Sequence, residues 1–128
     1  MSKQRTILLV TTRPEQLSVF SAQLRADTGV LLRTSDSAEQ ALAAVGRQAP
    51  ALAIVDHQVG DRPGLTLVRQ LIQVNAFIHT AVFSELSEEA FHEASEGLGI
   101  LAHLPMQPGP ADASALLDTL RRIMSVSA

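Results

Sequence analysis

The chain contains no cysteine, no tryptophan and no tyrosine, and its one lysine is Lys3. Without cysteine there is no disulfide, no thiol nucleophile and no zinc–thiolate centre. Four phenylalanines are the whole aromatic complement, so bases have no obvious platform to stack on. The net charge of −3 supplies no broad basic field. Direct nucleic-acid binding is therefore disfavoured. No apolar run approaches the ~18 residues of a membrane helix. The run behind Lys3 and Arg5 stops at Val10, too short for a secretory leader, so a cytoplasmic location is expected. A glycine-rich loop is also missing after that run, where Thr11-Thr12-Arg13-Pro14 stands instead, which argues against a nucleotide cradle. Ser, His and Asp all occur, but no nucleophile elbow does, so no hydrolase is expected. His57, His79, His92 and His103 lack helical metal-ligand spacing and read as surface or partly buried residues.

What remains is a regular alternation of apolar runs and amphipathic stretches. At 128 residues, one domain is expected, with its core between about residues 6 and 124. Continuous runs predict buried strands at 6–10, 30–32, 51–55, 78–83 and 100–104. Pro105 interrupts the last, which should be short or at the sheet edge. Between them lie five helical patterns. The first begins at Pro14, carries Leu17, Phe20 and Leu24, and stops near Gly29. The second opens on Ser37 with Gln40 three residues on, buries Ala38, Ala41, Leu42 and Val45, and ends at Gly46 and Pro50. Leu65, Val68, Leu71 and Ile72 mark the third. Ser87 followed by Glu88 and Glu89 starts the fourth, closed by Gly97 and Gly99. The fifth runs from about Asp112 to Met124, burying Leu116, Leu117, Leu120 and Ile123, with 125–128 as a frayed tail. Strands alternating with helices specify an α/β fold, a parallel sheet covered on both faces.

Asp56 closes the third apolar run, at the carboxyl end of a buried strand, where open α/β sheets place ligand sites. The first strand ends in Thr11-Thr12, with no acid to share a cation. In this setting the chain resembles the receiver domain of two-component response regulators over nearly its whole length. Ile7-Leu8-Leu9-Val10 looks like that family's first strand. Thr11-Thr12-Arg13-Pro14-Glu15 stands where the family has two acids, a variable residue, Pro and Glu. Ile54-Val55-Asp56 resembles the phosphoacceptor strand, Gly64 the loop glycine, Phe83-Ser84 the fourth strand with its switch hydroxyl, and Gln107-Pro108 the family's Lys-Pro. The resemblance implies a flavodoxin-like, doubly wound five-stranded parallel sheet in the order 2-1-3-4-5. It also implies a phosphoacceptor position at Asp56 and a switch hydroxyl at Ser84. Against the family pattern, the acidic pair is degenerate at Thr11 and Thr12, the lysine at Gln107, and Leu104 stands near the rotating aromatic. Gln107-Pro108 is cis or trans; the sequence leaves this open.

These departures bear on the chemistry. Transfer of a phosphoryl group to a carboxylate brings two anions together and needs positive charge. Two like charges at ~4 Å repel by ~4 kcal/mol at an effective dielectric near 20. With one carboxylate and no lysine, neither Mg²⁺ nor an ammonium offsets that repulsion. The expectation is a receiver that works through protein–protein contacts and needs no cofactor. The alternative is a phosphorylation-competent receiver, with Mg²⁺, accepting phosphoryl on Asp56 in a phosphorelay. Arg13 or Arg62 could replace the missing cation by a bidentate pair with Asp56; otherwise both point to solvent. Ser84 is either a switch hydroxyl or a residue that only bonds backbone. Asp61 and Glu85 read as solvated loop acids, and Gln58 has no evident role. Glu88, Glu89, Glu93 and Glu96 form a solvated acidic face or a docking surface for a basic partner. The resemblance implies a histidine kinase or downstream regulator on the face of the fourth helix, fifth strand and fifth helix, and allows a homodimer.

Overall fold

The computed structural model describes residues 4–127, so Lys3 and Ala128 lie outside it. Twelve elements follow one another: β1 (Arg5–Val10), α1 (Ser18–Arg25), β2 (Val30–Ser35), α2 (Ala38–Arg47), β3 (Leu52–Val55), β4 (Gln58–Val59), β5 (Arg62–Pro63), α3 (Gly64–Val74), β6 (His79–Phe83), α4 (Glu88–Ala94), β7 (Ala102–Leu104) and α5 (Pro110–Ser127). Five strands form one sheet in the order β2-β1-β3-β6-β7, every neighbouring pair parallel. This is the doubly wound order that the family resemblance implies. The labels differ only because β4 and β5 form a separate antiparallel hairpin.

Side chains on successive strand residues leave opposite faces, so each central strand feeds two cores. Ile7, Leu9, Ile54 and Phe83 pack under α1 and α5 with Phe20, Leu24, Leu116 and Leu120. Phe20 meets Phe83 edge to face, with centroids 5.3 Å apart. Leu8, Val10, Val55 and Val82 pack on the other face against Val45, Leu67, Leu71 and Phe91. Each such side chain contributes about 1.5–3 kcal/mol by leaving water, so burial and not the polar site holds the fold together.

Several boundaries differ from the sequence reading. α1 begins at Ser18, not Pro14, because residues 14–17 make i→i+3 turns: Leu17 N–H donates to Pro14 O at 3.2 Å and Ser18 N–H to Glu15 O at 3.3 Å. β2 continues through polar Arg33 and Thr34 to Ser35, since an edge strand has one ladder to satisfy and tolerates exposed polar residues. Gly46 lies inside α2. α4 ends at Ala94, before Gly97 and Gly99, whose φ values of 83° and 63° carry the chain through the left-handed region. α5 starts at Pro110, a favoured first-turn position, and Asp112 accepts from Gly109 N–H at 2.8 Å. Residues 125–127, expected to fray, belong to α5. The β4–β5 hairpin was not expected. No described peptide bond is cis, so Gln107-Pro108 is trans.

Candidate functional site

The sheet register brings the site together. Val10 lies beside Val55, and Asp56 N–H donates to Val10 O at 2.9 Å. The ends of β1 and β3 therefore emerge side by side, with Thr11 next to Asp56. On the far side, Gly64 N–H donates to His57 O at 2.8 Å, folding the hairpin loop back onto the strand end. A Cβ at Gly64 would lie 2.2 Å from Asp56 O, so only glycine permits this closure.

Asp56 is 1% exposed and its carboxylate is fully engaged. Thr11 Oγ1 donates to Oδ2 at 2.7 Å. Arg13 Nε donates to Oδ2 at 2.8 Å and Nη2 to Oδ1 at 3.1 Å, a bidentate fork. His57 backbone N–H donates to Oδ1 at 2.8 Å, and its Nδ1 stands 3.2 Å from the same oxygen. Burial alone would push the Asp56 carboxyl up, but the hydrogen bonds from Arg13, then Thr11 and His57, outweigh it and hold the carboxyl below its ordinary value.

Arg13 does more than neutralise. Its own N–H donates to Thr11 Oγ1 at 3.0 Å, so hydroxyl, arginine and acid form a closed triangle. Nη1 donates to Met106 O at 2.8 Å, in the loop between β7 and α5. The guanidinium lies 5.8 Å from the Phe83 ring centroid, within cation–π range. One side chain thus ties together the ends of β1, β3 and β6 and the β7–α5 loop.

The other expected site residues lie outside this cluster. Thr12 and Gln107 are exposed. Arg62 turns away to Gln70 Oε1 (3.1 Å) and Glu39 Oε1 (3.2 Å). Ser84 Oγ accepts from Leu86 N–H at 3.0 Å, a local backbone turn, and does not reach Asp56. Asp61 and Glu85 are exposed, and Gln58 Nε2 donates to Gly60 O at 3.2 Å. Leu104 is buried, while its neighbour His103 stacks on Phe91 (4.0 Å between centroids, 6° between planes) and reaches Glu88 Oε1 at 3.2 Å. His57 and the Met106 carbonyl were missed in the sequence. Adjacency to Asp56 was the available signal for His57; a backbone acceptor such as Met106 O leaves none.

A hard divalent cation wants several carboxylate or carbonyl oxygens. Here one carboxylate has the Thr11 hydroxyl beside it, and both its oxygens already accept from a guanidinium. No cluster of three potential metal-ligating acids or histidines occurs among the described residues. The donor set does not fit Mg²⁺. Among the described residues, no helix is long and apolar enough to cross a membrane.

No family model matches the sequence, and no curated protein matches it. Solved structures do. A two-component response regulator from Clostridium difficile is similar at a TM-score of 0.81 and 16% identity, covering 94% of this chain and 98% of that one. The CheY-like response regulator receiver domain protein from Methanospirillum hungatei JF-1 gives 0.80 and 17%, covering 94% and 96%. A LuxR-family two-component response regulator from Aurantimonas sp. SI85-9A1 gives 0.79 and 16%, covering 93% and 86%. The fold is that of response-regulator receiver domains.

Proposed function

We propose that this chain is an atypical receiver module, a signalling protein without a reaction of its own. Its state is set by protein contacts and not by Mg²⁺-dependent phosphorylation of Asp56. The observation that carries this reading is the Arg13 fork across Asp56. In-line attack on a phosphoryl donor needs a free carboxylate oxygen and a cation able to hold the incoming group. Both oxygens are held here, and the cation is spent on the acid itself. In this reading the partner, a histidine kinase or a downstream regulator, docks on the face of α4, β7 and α5. There Glu88 and Glu89 stand exposed at the start of α4, and His103 joins β7 to it. A homodimer through the same face is the other form of contact, and the location is cytoplasmic.

A second reading rests on the same guanidinium. Swung off the acid, Arg13 is a fixed positive charge beside the acceptor, so a phosphoryl group on Asp56 would have one partner. Thermal unfolding with and without Mg²⁺ and beryllofluoride separates the two, because a ligand confined to the folded state must raise stability. The proposal expects no shift at millimolar concentrations. A rise that disappears in Asp56→Asn establishes the second reading in its place.

A further inference from the structure

Away from Asp56, two adjoining cavities open between β2, the exposed sheet edge, and α2, with volumes of about 260 and 330 Å³. They share four lining residues: Leu8, Arg33, Ala44 and Arg47. Leu8 is buried and supplies an apolar floor. Arg33 lies directly beside it in the sheet register, and Arg47 comes from the last turn of α2. Small side chains at Ala43 and Ala44 leave the space open.

The charge here is one-sided. No acid lines either cavity. Among the described residues neither the Arg33 nor the Arg47 side chain has a hydrogen-bond or ion-pair partner, unlike those of Arg13 and Arg62. The remaining lining is rich in neutral hydrogen-bonding groups: Thr6 and Gln48 in one cavity, Thr34, Ser35 and Gln40 in the other. Asp36 borders only the next cavity along, towards Thr11. An edge-strand arginine guards against strand addition, and an arginine in a last helical turn complements the helix dipole. Neither role calls for both arginines to line one acid-free cleft.

We infer that this cleft binds a small phosphate monoester. A single guanidinium fork already engages both oxygens of a carboxylate. A phosphate monoester has three and can be shared between two forks. Its organic part would lie on Leu8 and Ala44. The site is independent of the state of Asp56.

The test uses the whole chain and glycerol 3-phosphate as the probe, followed by calorimetry and by amide chemical shifts. Inorganic phosphate and sodium chloride at matched ionic strength serve as further arms. Expected is saturable binding below about 10 mM, with shifts centred on residues 6, 33–35 and 44–48. Arg33→Gln and Arg47→Gln each weaken it about ten-fold, and Arg33→Lys does so less, keeping the charge but losing the fork. Arg69→Gln, an exposed arginine elsewhere, leaves it unchanged. Equal binding of inorganic phosphate keeps the site but removes the organic part from the claim. No saturation, equal weakening by Arg69→Gln, or shifts centred elsewhere overturns the proposal. Since Arg33 and Arg47 are exposed, the variants keep the fold, and the shift map checks this directly.

Discussion

The carboxyl end of the sheet has two unlike halves. On the β1–β3 side, buried Thr11 and Asp56 and half-buried Arg13 form a cluster in which every carboxylate oxygen has a donor. On the β6–β7 side, Ser84 serves its own loop and Gln107 faces solvent. In a receiver that answers to phosphorylation, the second half must sense what happens in the first. Here the first half is already neutralised from within, and Arg13 bridges the halves through Met106 O and the Phe83 ring. Under the proposed reading, control of this protein rests on one arginine, and the hydroxyl and amide on the other side are dispensable.

The comparison can be broken most severely at Arg13. Arg13→Ala leaves Asp56 as a buried, uncompensated charge, and a loss of about 3 kcal/mol in urea unfolding is expected. A loss below about 1 kcal/mol would mean that the pair is no stronger than a surface contact. Gly64→Ala comes next, at about 2 kcal/mol, because the new methyl must displace the Asp56 carbonyl 2.2 Å away. Unchanged stability there would show that the loop does not close on the strand end. Thr11→Val removes one donor to the charged acid and one acceptor for the Arg13 amide. About 1.5 kcal/mol should be lost, and calorimetric melting resolves a change of that size. On the opposite half, Ser84→Ala and Gln107→Ala should each change stability by less than about 0.5 kcal/mol. A larger effect from either would couple the halves and sink the contrast.

Much of the fold was legible. The alternation of continuous apolar runs with helical stripes specified the parallel sheet, and the family resemblance implied its order. Ser37 and Ser87 do cap their helices, accepting from Gln40 N–H and Ala90 N–H at 3.1 Å each. What escaped was shorter than any period. Two-residue strands at Gln58–Val59 and Arg62–Pro63 carry no alternation to read, and the turns at 14–17 share the composition of a helix start. In the site, the need for a cation beside Asp56 was legible from the missing lysine, but not which arginine would supply it. Arg13 is held next to the acid by its own amide on Thr11, whereas Arg62 sits in a hairpin whose pairing points it towards α2 and α3. Such reach is a property of packing, and no spacing rule encodes it.

The most direct measurement is the titration of the Asp56 carboxyl by carbon NMR in the wild type and in Arg13→Gln. With the arginine in place the folded value lies below the unfolded one. The pair's contribution to stability is then complete above the ordinary carboxylate range and is lost as pH falls through the folded value. Without the guanidinium, burial acts with less opposition and the carboxyl should move up, so the variant should protonate at the higher pH. A wild-type Asp56 that titrates at or above the ordinary range, or the same curve in both proteins, would contradict the claim that Arg13 holds this acid closed.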